Sequence, residues 1–248
     1  MPVAKVPRHL SAVFYGRSGT GKTTLACDFP GPVLLLDMND RGTESVRENE
    51  NLSVLLCHEW VDVEQAYWYL KKNLGKFKTV VLDTTSMMQS MALDQVVSDK
   101  GGTTNGRMLT KQDWGQAAAM MNTWIMNYRD LQSSMNVVFI AQDRTKGGEE
   151  ADNDDGQMMP EVGPRLMPSV ASTLNAAVSI VGNTFVREIV KKVKTADKKI
   201  KEIKKVEYCL RIGPHAYYTT KVRKPKAITV PAFLVDPSYE DLVATLEE

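Results

Sequence analysis

The stretch Gly16-Arg17-Ser18-Gly19-Thr20-Gly21-Lys22-Thr23, followed by Thr24, constrains this chain more than any other. It fits G-x-x-x-x-G-K-[ST], a loop built to hold phosphate. Its glycines let the backbone approach a ligand closely. Its N–H groups then converge on an anion at the positive end of the following helix. Lys22 is placed to reach the β- and γ-phosphates, and the Thr23 hydroxyl to hold Mg²⁺. The flanks agree with the motif. Ser11–Tyr15 is an apolar run that predicts a buried strand, and Thr23–Phe29 predicts a helix stopped by Pro30-Gly31-Pro32.

The rest of the chain alternates strand and helix signals. Val33–Asp37 is an apolar run ending in a carboxylate, of the kind found in strands buried on both faces. Ser53–Cys57 predicts a third strand, and Val61–Leu74 a helix with Asp62 as its N-cap. Phe77–Asp83 ends a β-branched run in Asp83. A carboxylate there can orient the Mg²⁺ that Thr23 binds, or simply cap the next helix. Met87–Val97 predicts a helix, 98–107 a glycine-rich loop, and Asp113 opens a long helix through Leu131. Its methionines are expected in the core. Asn136–Gln142 predicts another buried strand, and 143–165 a long acidic loop with seven carboxylates against three basic residues.

Beyond it, Leu166–Leu174 predicts a short helix and Ala176–Val181 a strand. Phe185–Lys194 and Ile200–Ile212 alternate in polarity and predict an antiparallel hairpin. Tyr217–Arg223 predicts a further strand, and Asp236-Pro237 the start of a C-terminal helix. The expected architecture is α/β: a mainly parallel sheet flanked by helices, plus a C-terminal antiparallel β-hairpin. We divide the 248 residues of this single domain into a nucleotide-binding core (10–182), a basic hairpin and strand (183–226) and a C-terminal tail with a helix (227–248).

Charge sharpens that division. The net charge of +1 conceals 14 Lys or Arg against 4 Asp or Glu between residues 187 and 226. A basic segment on an otherwise acidic chain points to a polyanionic partner. The N-terminus lacks the apolar core of a signal peptide, and no run reaches membrane-helix length. Cys27, Cys57 and Cys209 are too scattered for a zinc site or disulfide framework, which fits a reducing cytoplasm.

Together these residues give the chain a resemblance. It looks like the phage-encoded, RecA/RadA-like P-loop ATPases of the single-strand annealing type, a group of phage nucleotide-binding AAA-domain proteins. The resemblance rests on Tyr15–Thr24, Val80–Asp83, Gln112–Gly115, Val137–Gln142 and Lys221–Arg223. It implies an RecA-like core in which another strand lies between the phosphate-loop strand and the Asp83 strand. It implies a Mg²⁺-dependent, DNA-stimulated ATPase that binds ATP and single-stranded DNA in the host cytoplasm. It also implies a homo-oligomer, ring or filament, with nucleotide between subunits.

Residue by residue, Gln142 matches the γ-phosphate sensor. Lys221 and Arg223 match a finger pair that reaches the neighbouring subunit's nucleotide. The segments 98–112 and 143–165 match the two DNA-binding loops. One departure concerns the water-activating glutamate: the matching region reads Asp37-Met38-Asn39-Asp40, so Asp40, or Asp37, has to substitute. An ATP-gated DNA-binding or scaffold protein without turnover is therefore the alternative. A P-loop phosphotransferase fits less well, because 143–165 holds only Arg144 and Arg165 for a lid.

Overall fold

The computed structural model describes residues 9–39, 42–104, 108–146, 161–194 and 200–247, with side chains described outside 191–203 and residue 247. The first strand β1 (Ser11–Tyr15) leads into helix α1 (Lys22–Cys27), and β2 (Val33–Asp37) follows. After a short 3₁₀ turn come β3 (Leu52–Leu56), α2 (Trp60–Lys72), β4 (Thr79–Asp83) and α3 (Thr85–Ser98). Then α4 (Lys111–Asp130) precedes β5 (Asn136–Ala141), β6 (Asp143–Lys146), β7 (Glu161–Pro164) and α5 (Pro168–Ala177). The last elements are β8 (Ile180–Lys194), β9 (Ile200–Arg211), β10 (Lys221–Val222), β11 (Phe233–Val235) and α6 (Tyr239–Glu247).

The main sheet runs β11-β9-β8-β1-β5-β4-β2-β3, with β10 also on β8. Its six strands from β8 to β3 are parallel, and β9, β10 and β11 are antiparallel additions. Strand β5 lies between β1 and β4, as the resemblance implied. Apolar runs such as Val33–Leu36 and Val80–Leu82 are fully covered, because helices pack on both faces. On one face α2, α3, α4 and α5 close a core around Leu36, Leu82 and Phe139. On the other, α1 and α6 cover Phe14, Leu35 and Ile140. Tyr67, Trp124 and Tyr128 meet edge-on where α2 crosses α4, at centroid separations of 5.3 and 5.5 Å from Tyr67. The Tyr128 hydroxyl donates to the Val63 carbonyl at 2.6 Å, so a deeply buried polar group is satisfied. Of the methionines of α4, Met121 is fully buried and Met120 packs partly buried against the core, whereas Met126 is exposed.

Several boundaries differ from expectation. Asp62 is not the N-cap of α2 but its third residue, and its carboxylate takes the N–H groups of His58 and Glu59. Residues 143–165 are not wholly loop: β6 and β7 form an antiparallel pair at its two ends. Each is only four residues long and lacks alternation, so pairing rather than pattern reveals them. Ala176 and Ala177 finish a helix that Pro168 opens, and the strand begins at Ile180. That strand continues through Lys194 without a break, crossing the division at 182/183. The C-terminal helix starts two residues after Pro237, where Ser238 and Asp241 exchange capping bonds.

Helix α4 shows how one residue locks a connection. Thr110 caps it, and Asp113 returns the bond to the Thr110 N–H at 2.9 Å, completing a capping box. Lys100 also reaches Asp113, at 2.5 Å, tying the end of α3 to the start of α4. The Lys100 bond, with those from Thr110, holds the Asp113 carboxyl well below the usual carboxylate range. A depressed acid stabilises the fold above its unfolded pKa of about 3.9 and loses that contribution as pH falls further. Asp113→Ala is expected to lower the melting temperature at pH 7. The gap from wild type should narrow in melts below about pH 4. A gap independent of pH would mean that packing, not charge, sets the effect.

Candidate nucleotide-binding site

The site forms at the C-terminal edge of the parallel strands. There β1 ends at Tyr15 and the chain turns through residues 16–21 into α1. Gly21 caps the helix with a left-handed backbone, φ 83°, a conformation that favours glycine. Gly16 is held for a different reason: a Cβ there would come within 2.4 Å of the Thr184 carbonyl oxygen. Thr20 fixes the far side of the loop. Its hydroxyl donates to the Arg17 carbonyl at 2.8 Å and lies 2.7 Å from the Thr184 hydroxyl.

Lys22 is almost wholly buried, with its ammonium turned into the loop. It donates to the carbonyls of Gly16 at 2.9 Å and Arg17 at 2.6 Å. Thr23 donates to Asp83 Oδ2 at 2.6 Å, so the two expected metal ligands meet directly. Asp83 closes β4, two strands from β1, and only the sheet brings it there. An alcohol and a carboxylate are hard oxygen donors of the kind Mg²⁺ prefers, so the pair fits that ion. Gly42 lies over this corner: a Cβ on it would be 3.9 Å from Thr23 Oγ1 and 4.0 Å from Asp83 Oδ2. Among the described residues no group of three His, Cys, Asp or Glu offers a separate metal site.

Asp37 is paired in register with Asp83 on the neighbouring strand and is buried. Asn39 is exposed and left-handed at φ 61°. Asp40 lies outside the described residues. Ser18, Gly19, Thr20, Gly21, Lys22, Thr23 and Thr24 all line one cleft of about 1410 Å³ with Asp83. Of the cradle residues expected from sequence, Gly16 and Arg17 support this lining through their carbonyls.

The remaining candidates are placed differently. Gln142 follows β5, where its N–H bonds the Ser86 hydroxyl at 3.1 Å. Its side-chain oxygen accepts from Arg165 at 3.0 Å, which couples it to the end of β7. Lys221 and Arg223 sit at the opposite end of the strands from Lys22, because Val222 pairs with Ile180 at the start of β8. Both donate to the Ala176 carbonyl at the C-terminal end of α5, and Lys221 also to Asn175. Burial, and then the neighbouring Arg223 charge, lower the Lys221 ammonium to about 8. Within one chain, then, this pair caps a helix and does not meet the phosphate loop.

Three site residues had no signal in the local sequence. Thr184 bonds the loop from β8. Tyr208 on β9 lines the cleft, with its ring 3.4 Å from where a Gly21 Cβ would lie. Asp236 joins it from the turn after β11. For Tyr208 the alternation of Val206, Tyr208, Leu210 and Ile212 gave one face correctly. Leu210 and Ile212 are buried, however, whereas Val206 and Tyr208 project beyond the sheet and stay half exposed.

A phosphate loop beside a distant strand-end aspartate, with a strand interposed, defines a P-loop NTPase of RecA-like architecture. The chain belongs to the AAA domain family, whose model matches residues 8–223. Among solved structures it is similar to the flagellar accessory protein FlaH from Methanocaldococcus jannaschii. That likeness has 10% identity and a TM-score of 0.41, covering 94% of this chain and 92% of that one. A search of curated proteins gives no match. No helix among the described residues is long and apolar enough to cross a membrane.

Proposed function

We propose that this protein binds and hydrolyses ATP with Mg²⁺ and couples that cycle to single-stranded DNA, in the recombination or annealing of phage genomes. The observation that carries the nucleotide part is the 2.6 Å contact of Thr23 with Asp83 beside the buried Lys22. Phosphate oxygens take the place of the Gly16 and Arg17 carbonyls as acceptors for the Lys22 ammonium. Thr23 and Asp83 would hold Mg²⁺, whose charge would offset that of the phosphates. Catalysis is then positioning and electrostatics, with no covalent intermediate. Asp40, or Asp37 beside Asp83, takes the place of the water-activating glutamate.

The DNA part rests on charge and on the direction of the hairpin. From Asn183 to Lys194 strand β8 runs past its last partner on β1, away from the phosphate loop's edge of the sheet. At ~3.3 Å per residue that is an arm of about 35 Å. It carries most of the basic excess. At its root some of that charge is already matched: Lys204 pairs with Glu188, and Lys205 lies near Glu207 and Asp236. The acidic residues Glu149, Glu150, Asp152, Asp154 and Asp155 lie outside the described residues.

Assembly into a homo-oligomer is supported at β3. This edge strand leaves Val54, Leu55 and Leu56 exposed, an apolar run with one edge unpaired among the described residues. Lys221 and Arg223 act as fingers only across such a contact.

Phosphate release measured with and without single-stranded DNA, beside particle size with and without ATP, tests the proposal. DNA should raise the rate and ATP should raise the size. ATP binding with a rate that stays flat across DNA concentrations would favour the ATP-gated scaffold.

A further inference from the structure

We infer that Tyr208 is the platform on which the nucleoside base stacks, so that the root of the basic arm supplies half of the nucleotide's seat. The inference rests on the nucleotide reading and deepens it. A phosphate loop fixes only the polyphosphate end of its ligand. The cleft that holds Lys22 and Thr23 does not stop there: it continues along α1, past Thr24 and Asp28, to a wall made by Tyr208 and the turn at Asp236. A nucleoside extending from the phosphates along α1 therefore meets that wall.

Tyr208 has the properties of a stacking surface. Its ring borders the loop, 3.4 Å from the Cβ position of Gly21, yet 46% of the residue remains exposed. A large ring left half open beside a buried lysine is an apolar face with no cover of its own. The backbone beneath it is clamped at both polar groups by one residue. The Tyr208 N–H donates to Asp236 Oδ1 at 3.1 Å, and the Asp236 N–H donates to the Tyr208 carbonyl at 2.6 Å. Asp236 itself sits at φ 45°, in the left-handed region that aspartate enters more readily than most residues with a Cβ. The clamp fixes the backbone that carries the exposed ring, as a pre-organised binding surface requires. On the reverse side of β9, Glu207 is buried and paired with Arg187 at 2.8 Å, which resists rotation of the strand.

Stacking on an aromatic side chain accounts for on the order of 5- to 100-fold in affinity per base. The test compares two ligands, MgATP and magnesium tripolyphosphate, on wild type, Tyr208→Ala and Tyr208→Phe. Tyr208→Ala should weaken ATP roughly 5- to 100-fold and leave tripolyphosphate unchanged, while Tyr208→Phe keeps both. Retained tripolyphosphate binding also reports an intact loop. Equal losses for the two ligands, or an unchanged ATP affinity in Tyr208→Ala, would overturn the assignment. Wild-type protein that binds neither ligand would overturn the nucleotide reading and this inference with it.

Discussion

Lys22→Ala lowers ATP affinity by on the order of 100-fold or more. The ammonium is nearly buried, and its bonds to the Gly16 and Arg17 carbonyls hold it inside the loop. There it faces the side on which phosphate must lie. Charge-assisted bonds contribute about 1.5–3 kcal/mol each, more where water is excluded, and a tenfold change in affinity is about 1.4 kcal/mol. Loss of one such contact with phosphate therefore gives roughly tenfold to 100-fold, and loss of two gives more. The substitution also removes the donor to the Gly16 and Arg17 carbonyls, so the melting temperature of the ligand-free protein should fall as well. Titration with ATP, followed by calorimetry, checks it. An affinity within twofold of wild type would remove the phosphate loop from the account.

Gly16→Ala is expected to damage both stability and binding. The new methyl group would sit 2.4 Å from the Thr184 carbonyl oxygen and 2.5 Å from its hydroxyl oxygen. Thr184 cannot retreat easily, because Asn183 beside it is paired to Tyr15 of β1 and Thr184 itself to Leu210 of β9. Overpacking of this kind costs about 1–3 kcal/mol, or roughly 4–8 °C in melting temperature for about 2 kcal/mol in a chain of this size. Relief by movement of the loop would separate Thr20 from Thr184 and misplace Lys22. Thermal melting and ATP titration on the same variant check both limbs. A stable variant with weak ATP binding would mean that the loop moves; an unchanged melt with normal binding would contradict the packing.

Much of the site was legible because its signals are local. The loop and α1 are contiguous, and Asp83 ends an apolar run that only a buried strand explains. Their meeting at 2.6 Å follows once β4 and β1 share a sheet. The run at Ser53–Leu56 was legible as a strand but not as an edge. Apolar residues favour a strand whether or not a helix covers them, and here they stay exposed. The long acidic stretch hid β6 and β7 because two four-residue strands gain their identity from each other. The splitting of β8 failed for a related reason. Gly182, Asn183 and Thr184 look like a turn, but β1 on one side and β9 on the other hold them extended. The position of Lys221 and Arg223 could not be read at all, since it depends on how β10 pairs with the start of β8.

The amino-acid sequence by itself therefore determined the phosphate cradle and the alternating strands and helices, and it offered Thr23 and Asp83 as candidate ligands for Mg²⁺. The cradle and the elements follow from spacing within a few residues, whereas the sheet brings Asp83 to Thr23. Only the tertiary structure decided what surrounds the nucleotide. Thr184, Tyr208 and Asp236 lie more than 150 residues beyond the loop in the chain, and no local pattern links them to it. They reach it because β8 pairs with β1, which sets the root of the basic arm against the phosphate loop.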